Sequence, residues 1–300
     1  MLWLKKQPEA APQGGAAERI APAGLPLPLD EALFAHHLQN LRQIADADAG
    51  LEAWLGALQA KRRLFAAALS PEALGGLDLE GLETVLDLSF TARRKLFPPL
   101  QALGEAGSVA ALNDLLYGSG SVAVRLQRFL AALPVKAGIG REDAARLRRA
   151  AFDFAAEMLH FSAPEQYPLM TRWVWDQTTM SGALRELIRG ADHMARIELG
   201  STPEMFEGAR HWLASLLAAE GIYRDMPFWI DLVLAQAYSA YFRSVAEGML
   251  SPGFGRGVGP EECIKKLLGI DAPGRSGRSR VRKTQAIHHE RHELSTNGHE

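Results

Sequence analysis

Glu157 and His160 stand three residues apart in a stretch with helical spacing, which puts a carboxylate and an imidazole on one face. That pairing is part of the ligand set of carboxylate-bridged di-metal bundles, where a second Glu-x-x-His and two further carboxylates complete the site. The nearest other pair, Glu207 with His211, is spaced four apart. His160, between Leu159 and Phe161, reads more simply as a hydrogen-bonded core histidine. Gly253-Phe254-Gly255-Arg256-Gly257-Val258-Gly259 lacks the Gly-Lys-Ser/Thr ending that grips phosphate and magnesium, and Glu261-Glu262 behind it would repel an anion. Gly118-Ser119-Gly120-Ser121 lacks the strand-turn-helix setting of a nucleophile elbow and reads as a turn ending in a helix cap. Cys263 lies in the first turn of a short helix, where a thiolate gains a little, but the same two glutamates oppose it. No catalytic constellation emerges, and none of these positions implies a cofactor.

The densest chemistry lies between His160 and Asp176. Tyr167, Arg172, Trp173, Trp175 and Asp176 fall in one short span interrupted by Pro164 and Pro168. Tyr, Trp and Arg are the residues of which binding hot spots are made. The same residues also suit a core-forming turn, with indoles filling space and Arg172 pairing with Asp176 one turn on.

The elements that must position these groups are helical throughout. Asp30 predicts a cap for a helix bearing Leu33, Phe34, His37, Leu41 and Ile44. Leu51, Trp54, Leu55 and Leu58 mark a second, running to about Phe65. Ser70-Pro71-Glu72 starts another, and Leu79, Leu82, Val85 and Leu86 follow. Pro98-Pro99 predicts an interruption after Phe97. Ser108 and Ser121 read as caps of two short helices, and Gly138-Ile139-Gly140 as the turn before a long helix over 141–161. Thr202-Pro203 opens a helix ending near Gly221, Pro227 opens the longest apolar one, and Pro260 to Leu268 is the last. The apolar run from Phe228 to Leu250 contains Asp231, Gln236, Arg243 and Glu247, so a membrane span is not expected. No period-two alternation and no internal repeat is present.

The run from Leu112 to Leu187 carries a further pattern: Leu-Leu-Tyr-Gly-Ser-Gly-Ser, Arg-Leu-Gln-Arg-Phe-Leu, Gly-Ile-Gly, Met-Leu-His-Phe and Pro-Glu-Gln-Tyr-Pro-Leu-Met. It resembles the helix-hairpin-helix DNA-glycosylase superfamily over about a quarter of the chain. The resemblance implies that Gly138 and Gly140 belong to a hairpin offering N–H groups to a DNA phosphate. Where that superfamily carries its catalytic aspartate this chain has Thr171, so base-excision chemistry is not implied.

At 300 residues, 47% hydrophobic, with net charge -2, the chain is long enough to bury a sizeable core and too nearly neutral for whole-surface steering toward nucleic acid or anionic membrane. One cysteine excludes an internal disulfide. No export signal is recognised at the N-terminus. The sequence therefore predicts an all-α fold, an irregular orthogonal multi-helix array. It forms a single globular domain over 29–272, between a disordered Ala/Pro/Gly-rich leader, 1–28, and a disordered, basic, His-rich tail, 273–300. The functional expectation is a non-catalytic accessory protein of the bacterial cytoplasm, meeting an unidentified protein partner through Tyr167, Arg172, Trp173, Trp175 and Asp176. The alternatives are a nucleic-acid-binding protein using Gly138, Gly140, Arg275, Arg278 and Arg280, and a metal-dependent helical enzyme using Glu157 and His160.

Overall fold

Asp30 opens the first helix as expected: its carboxylate accepts from the N–H groups of Ala32 at 2.8 Å and Leu33 at 3.1 Å. Ser70, Asp78, Ser121 and Thr202 cap later helices in the same way, with Pro71 and Pro203 in first turns where a missing N–H costs nothing. The fold comes from a computed structural model describing residues 19–136, 138–248 and 259–271, the side chains of 246–248 excepted. Among these residues are ten α-helices: α1 (Glu31–Asp46), α2 (Leu51–Leu69), α3 (Pro71–Leu74), α4 (Leu79–Asp87), α5 (Phe97–Tyr117), α6 (Val122–Ala132), α7 (Arg141–Ser162), α8 (Pro203–Ala219), α9 (Met226–Gly248) and α10 (Pro260–Leu268). Pairing between strands is limited there to one isolated bridge, Asp176 with Ser181. No described helix is long and apolar enough to cross a membrane.

Two elements stand at the centre. α7 packs on α2, α5 and α6, and every residue from Ala150 to Phe161 is buried except Phe152, which is half-buried. α9 packs on α1, α2, α8, α10 and the short 3-10 turn Ala183–Leu187. Leu38, Leu41, Leu58, Phe65, Phe154, Leu159, Leu232 and Val233 fill the space between. The connection from α7 to α8 is long and irregular, and holds the aromatic segment.

Three local expectations are corrected. Pro98 and Pro99 open α5 rather than interrupt a helix, because both lie in its first turn. Ser108 caps nothing: it is buried within α5 and its hydroxyl donates to the Leu100 carbonyl at 3.1 Å. The break in α5 falls instead at Gly104, whose φ of 77° no bulky side chain adopts comfortably. Lastly, order begins before residue 29. Ala23 N–H donates to the Glu204 carbonyl at 2.9 Å, and Ile20, Leu25 and Leu27 pack against the core. Gly208 permits this crossing, since a Cβ there would overlap the Ala23 carbonyl oxygen. The remainder of the expected leader, 1–18, and the expected tail from residue 273 lie outside the described residues.

Candidate functional site

Asp153, Glu157 and His160 share one face of α7, and each is buried. The Asp153 carboxylate accepts from the Arg172 backbone N–H at 2.9 Å and from its guanidinium at 2.8 Å. Burial nevertheless pushes this carboxyl up to about 6, against the pull of Arg172. Glu157 accepts from the Lys61 ammonium at 3.0 Å and from the Ser89 hydroxyl at 2.8 Å. Lys61 spends its other two donors on the carbonyls of Leu88 at 3.0 Å and Leu268 at 2.8 Å, and lies 3.9 Å from the Phe161 ring centre. Burial pushes this ammonium below the ordinary lysine range, and Glu157 opposes that.

His160 completes the row. Nδ1 donates to the Tyr167 carbonyl at 2.8 Å, because a carbonyl only accepts. Nε2 meets the Asp231 carboxylate of α9 at 2.8 Å. Beside this pair lies a void of about 20 Å³, lined by Leu169, Phe206, Arg210 and Leu213 among others, with room for about one water molecule. The row ties α2, α4, α7, α9 and α10 together, and both coordinating atoms expected of a metal site at Glu157 and His160 are spent on protein partners. Among the described residues no group of three or more His, Cys, Asp or Glu is arranged to hold a metal ion.

The aromatic segment lies in the core, which corrects its reading as a binding surface. Tyr167, Trp173 and Trp175 are 4%, 5% and 1% exposed. Trp175 Nε1 donates to the Leu199 carbonyl at 3.1 Å, and the Arg125 guanidinium donates to the Tyr167 hydroxyl at 3.2 Å. Arg172, its side chain 32% exposed, is held by Asp153 and by Asp176 at 3.6 Å. The segment acts as a strut: Tyr167 aims His160 and Arg172 closes over Asp153.

The glycine hairpin has the opposite character. α6 and α7 pack together, and between them Ile139 N–H donates to the Lys136 carbonyl at 3.2 Å while Gly138 takes φ 79°. Gly140 is the N-cap of α7 and supplies no side chain, so the first-turn N–H groups carry no side-chain cap. A Cβ at Gly138 or Gly140 would meet nothing within 4 Å. Lys136, Arg141, Arg148 and Arg149 are exposed, with no ion-pair partner among the described residues. Glu142 and Asp143, the acids that would repel phosphate, are both engaged by Arg146, the second at 3.5 Å. Arg275, Arg278 and Arg280 lie outside the described residues.

No family model, curated protein or solved structure matches the chain. The site therefore stands on its own geometry. Sequence reasoning missed Lys61, Ser89 and Asp153 as members of the buried row. One signal was present: Lys61 stands at a core position, in helical register with Leu58 and Phe65. A charge at such a position needs a buried partner.

Proposed function

We propose that the protein binds nucleic acid through the sugar-phosphate backbone, using the hairpin between α6 and α7, without base-excision chemistry. The observation that carries this reading is the uncapped start of α7 at an exposed, sterically open Gly140, with exposed Lys136 and Arg141 close to it in the chain and exposed Arg148 and Arg149 two turns along the helix. Free N–H groups and the positive end of the helix dipole favour an anion there. Between residues 136 and 149 five basic side chains stand against two acids, so the local charge is positive although the whole chain is slightly acidic. Phosphate contact of this kind positions the protein without reading sequence. Thr171, matched to the superfamily's catalytic aspartate, is fully buried and cannot ionise, which supports binding without base excision.

Fluorescence anisotropy with a labelled 20-base-pair duplex tests it across a salt series. The affinity is expected to fall steeply with salt. An Arg141→Gln/Arg148→Gln/Arg149→Gln variant should flatten the log-log slope by about 2 to 3, at roughly 0.9 per lost phosphate contact. Binding with the same slope in the variant would move the interface elsewhere.

A further inference from the structure

Residues 19–28 run as a strap across α8 before α1 begins. Exposure alternates along it. Ala23, Leu25 and Leu27 are half-buried, Gly24, Pro26 and Pro28 are exposed, and Leu29 is buried. A period of two marks an extended chain with one face on a support. Ile20, Leu25 and Leu27 pack against the core. Among the described residues the backbone of 19–28 makes one hydrogen bond to the rest of the protein, from Ala23 N–H to the Glu204 carbonyl at 2.9 Å. Gly208 shapes the support. The three atoms nearest to a Cβ placed there all belong to the strap: the Ala23 carbonyl oxygen and carbon, and Leu25 Cδ2 at 3.5 Å. The space of the missing side chain is therefore filled by the strap. Only the root of the strap is firmly fixed. Asp30 N–H donates to the Leu187 carbonyl at 2.7 Å, and its carboxylate caps α1 and pairs with Arg189.

We propose that this seat on α8 is a docking site for an extended, proline-rich segment of a partner protein, with Leu or Ile at alternate positions, and that residues 20–28 fill it in cis until such a segment displaces them. The seated strap shows the chemistry that the seat takes. An extended peptide is held by its backbone at a close approach and by alternate side chains in apolar hollows. Gly208 supplies the approach, and Leu25 and Leu27 supply the alternate side chains. Pro22, Pro26 and Pro28 have no N–H to leave unpaired. Lifting the strap costs one backbone hydrogen bond and a few half-buried side chains, so it belongs to the least stable part of the fold. A second copy of the chain is the weaker occupant. Straps exchanged between copies make the same contacts as in cis, whereas a short tether presents the cis strap at an effective concentration on the order of 1 mM. At micromolar protein the cis strap wins that competition. A partner segment that fits better than the strap escapes this limit.

The test uses the full chain and a fluorescein-labelled peptide of residues 19–28, read by anisotropy. Ala23→Pro removes the one N–H that ties the strap to α8, and Leu25→Asp/Leu27→Asp is a second way to lift it. Because the strap docks at its effective concentration, the vacated seat should bind the peptide with Kd below about 1 mM, and about tenfold more tightly than the parent does. A peptide carrying Asp in place of both leucines should not bind, nor should the labelled peptide bind Gly208→Val, whose side chain fills the seat. Circular dichroism checks that each variant is folded. No binding to either folded strap variant at about 1 mM peptide overturns the proposal, as does equal binding to folded Gly208→Val or equal binding of the Asp peptide. Sedimentation of the parent at micromolar concentration should show a monomer. A dimer that Ala23→Pro dissociates would give the seat to a second copy and overturn the partner assignment.

Discussion

Lys61 and Glu157 are both charged groups taken fully out of water, so each is tolerable only with the other present. Lys61→Met should destabilise the protein by about 3 to 5 kcal/mol, since it strands a buried carboxylate. Lys61→Met with Glu157→Gln should recover much of that loss in urea unfolding. Full additivity of the two single changes would mean the pair is not coupled. Asp153 gives a pH signature. Its folded carboxyl lies at about 6 against an ordinary 3.8, so between those values the folded state binds more protons than the unfolded one. The stability this group contributes is therefore fully present below pH 3.8 and lost as pH rises through about 6. The displacement corresponds to about 3 kcal/mol. In Asp153→Asn, melting temperatures between pH 4 and 7 should lack this decline; a curve parallel to the parent's would contradict the assignment. Glu157 and His160 were legible as sharing a helix face, because spacing alone decides that. Their partners were not, since Lys61 lies 96 residues from Glu157 and Asp231 lies 71 from His160. A lone carboxylate and imidazole look the same whether a metal or a lysine waits opposite.

At the scale of elements, helix starts were legible wherever the signal is local. Asp30, Ser70, Ser121 and Thr202 each cap within three residues, so the sequence contains the whole interaction. Ser108 failed because a buried serine bonding back to a carbonyl has the same residue type as a cap. The leader's end failed for a different reason. Residues 19–28 are mostly Ala, Pro and Gly, with Ile20, Leu25 and Leu27 between them, and their order depends on α8 presenting a glycine at their crossing point. Gly208→Ala should thus cost about 1 to 3 kcal/mol, although alanine is the better helix former. The check is thermal unfolding together with proteolysis near residues 19–28. A gain in stability would mean the crossing does not persist in solution.

Over the whole molecule, one helix joins the buried row to the exposed glycine turn. α7 follows that turn and carries Asp153, Glu157 and His160 along its buried half, and Glu157 also holds Ser89 in the turn after α4. The all-α class was plain from periodicity, whereas the division between strut and surface was not. Trp173 and Trp175 resemble a hot spot by type, and only the tertiary packing around them decides that they are core: Trp173 lies 6.1 Å from Tyr238 of α9, centre to centre, and Trp175 donates to the Leu199 carbonyl. The turn at Gly138-Ile139-Gly140, by contrast, was visible in the sequence because its conformation is local. What the sequence left out there was Arg146, one turn along, occupying both acids.

Duplex binding by Gly140→Val tests the central claim most directly. Gly140 has an ordinary backbone conformation, φ -63°, and open space beside it, so valine should leave the fold intact while filling the approach to the α7 N-terminus. The expected result is a melting temperature within a few degrees of the parent and duplex affinity at 50 mM salt about tenfold weaker. Parental affinity in a folded Gly140→Val protein would contradict phosphate binding at the hairpin.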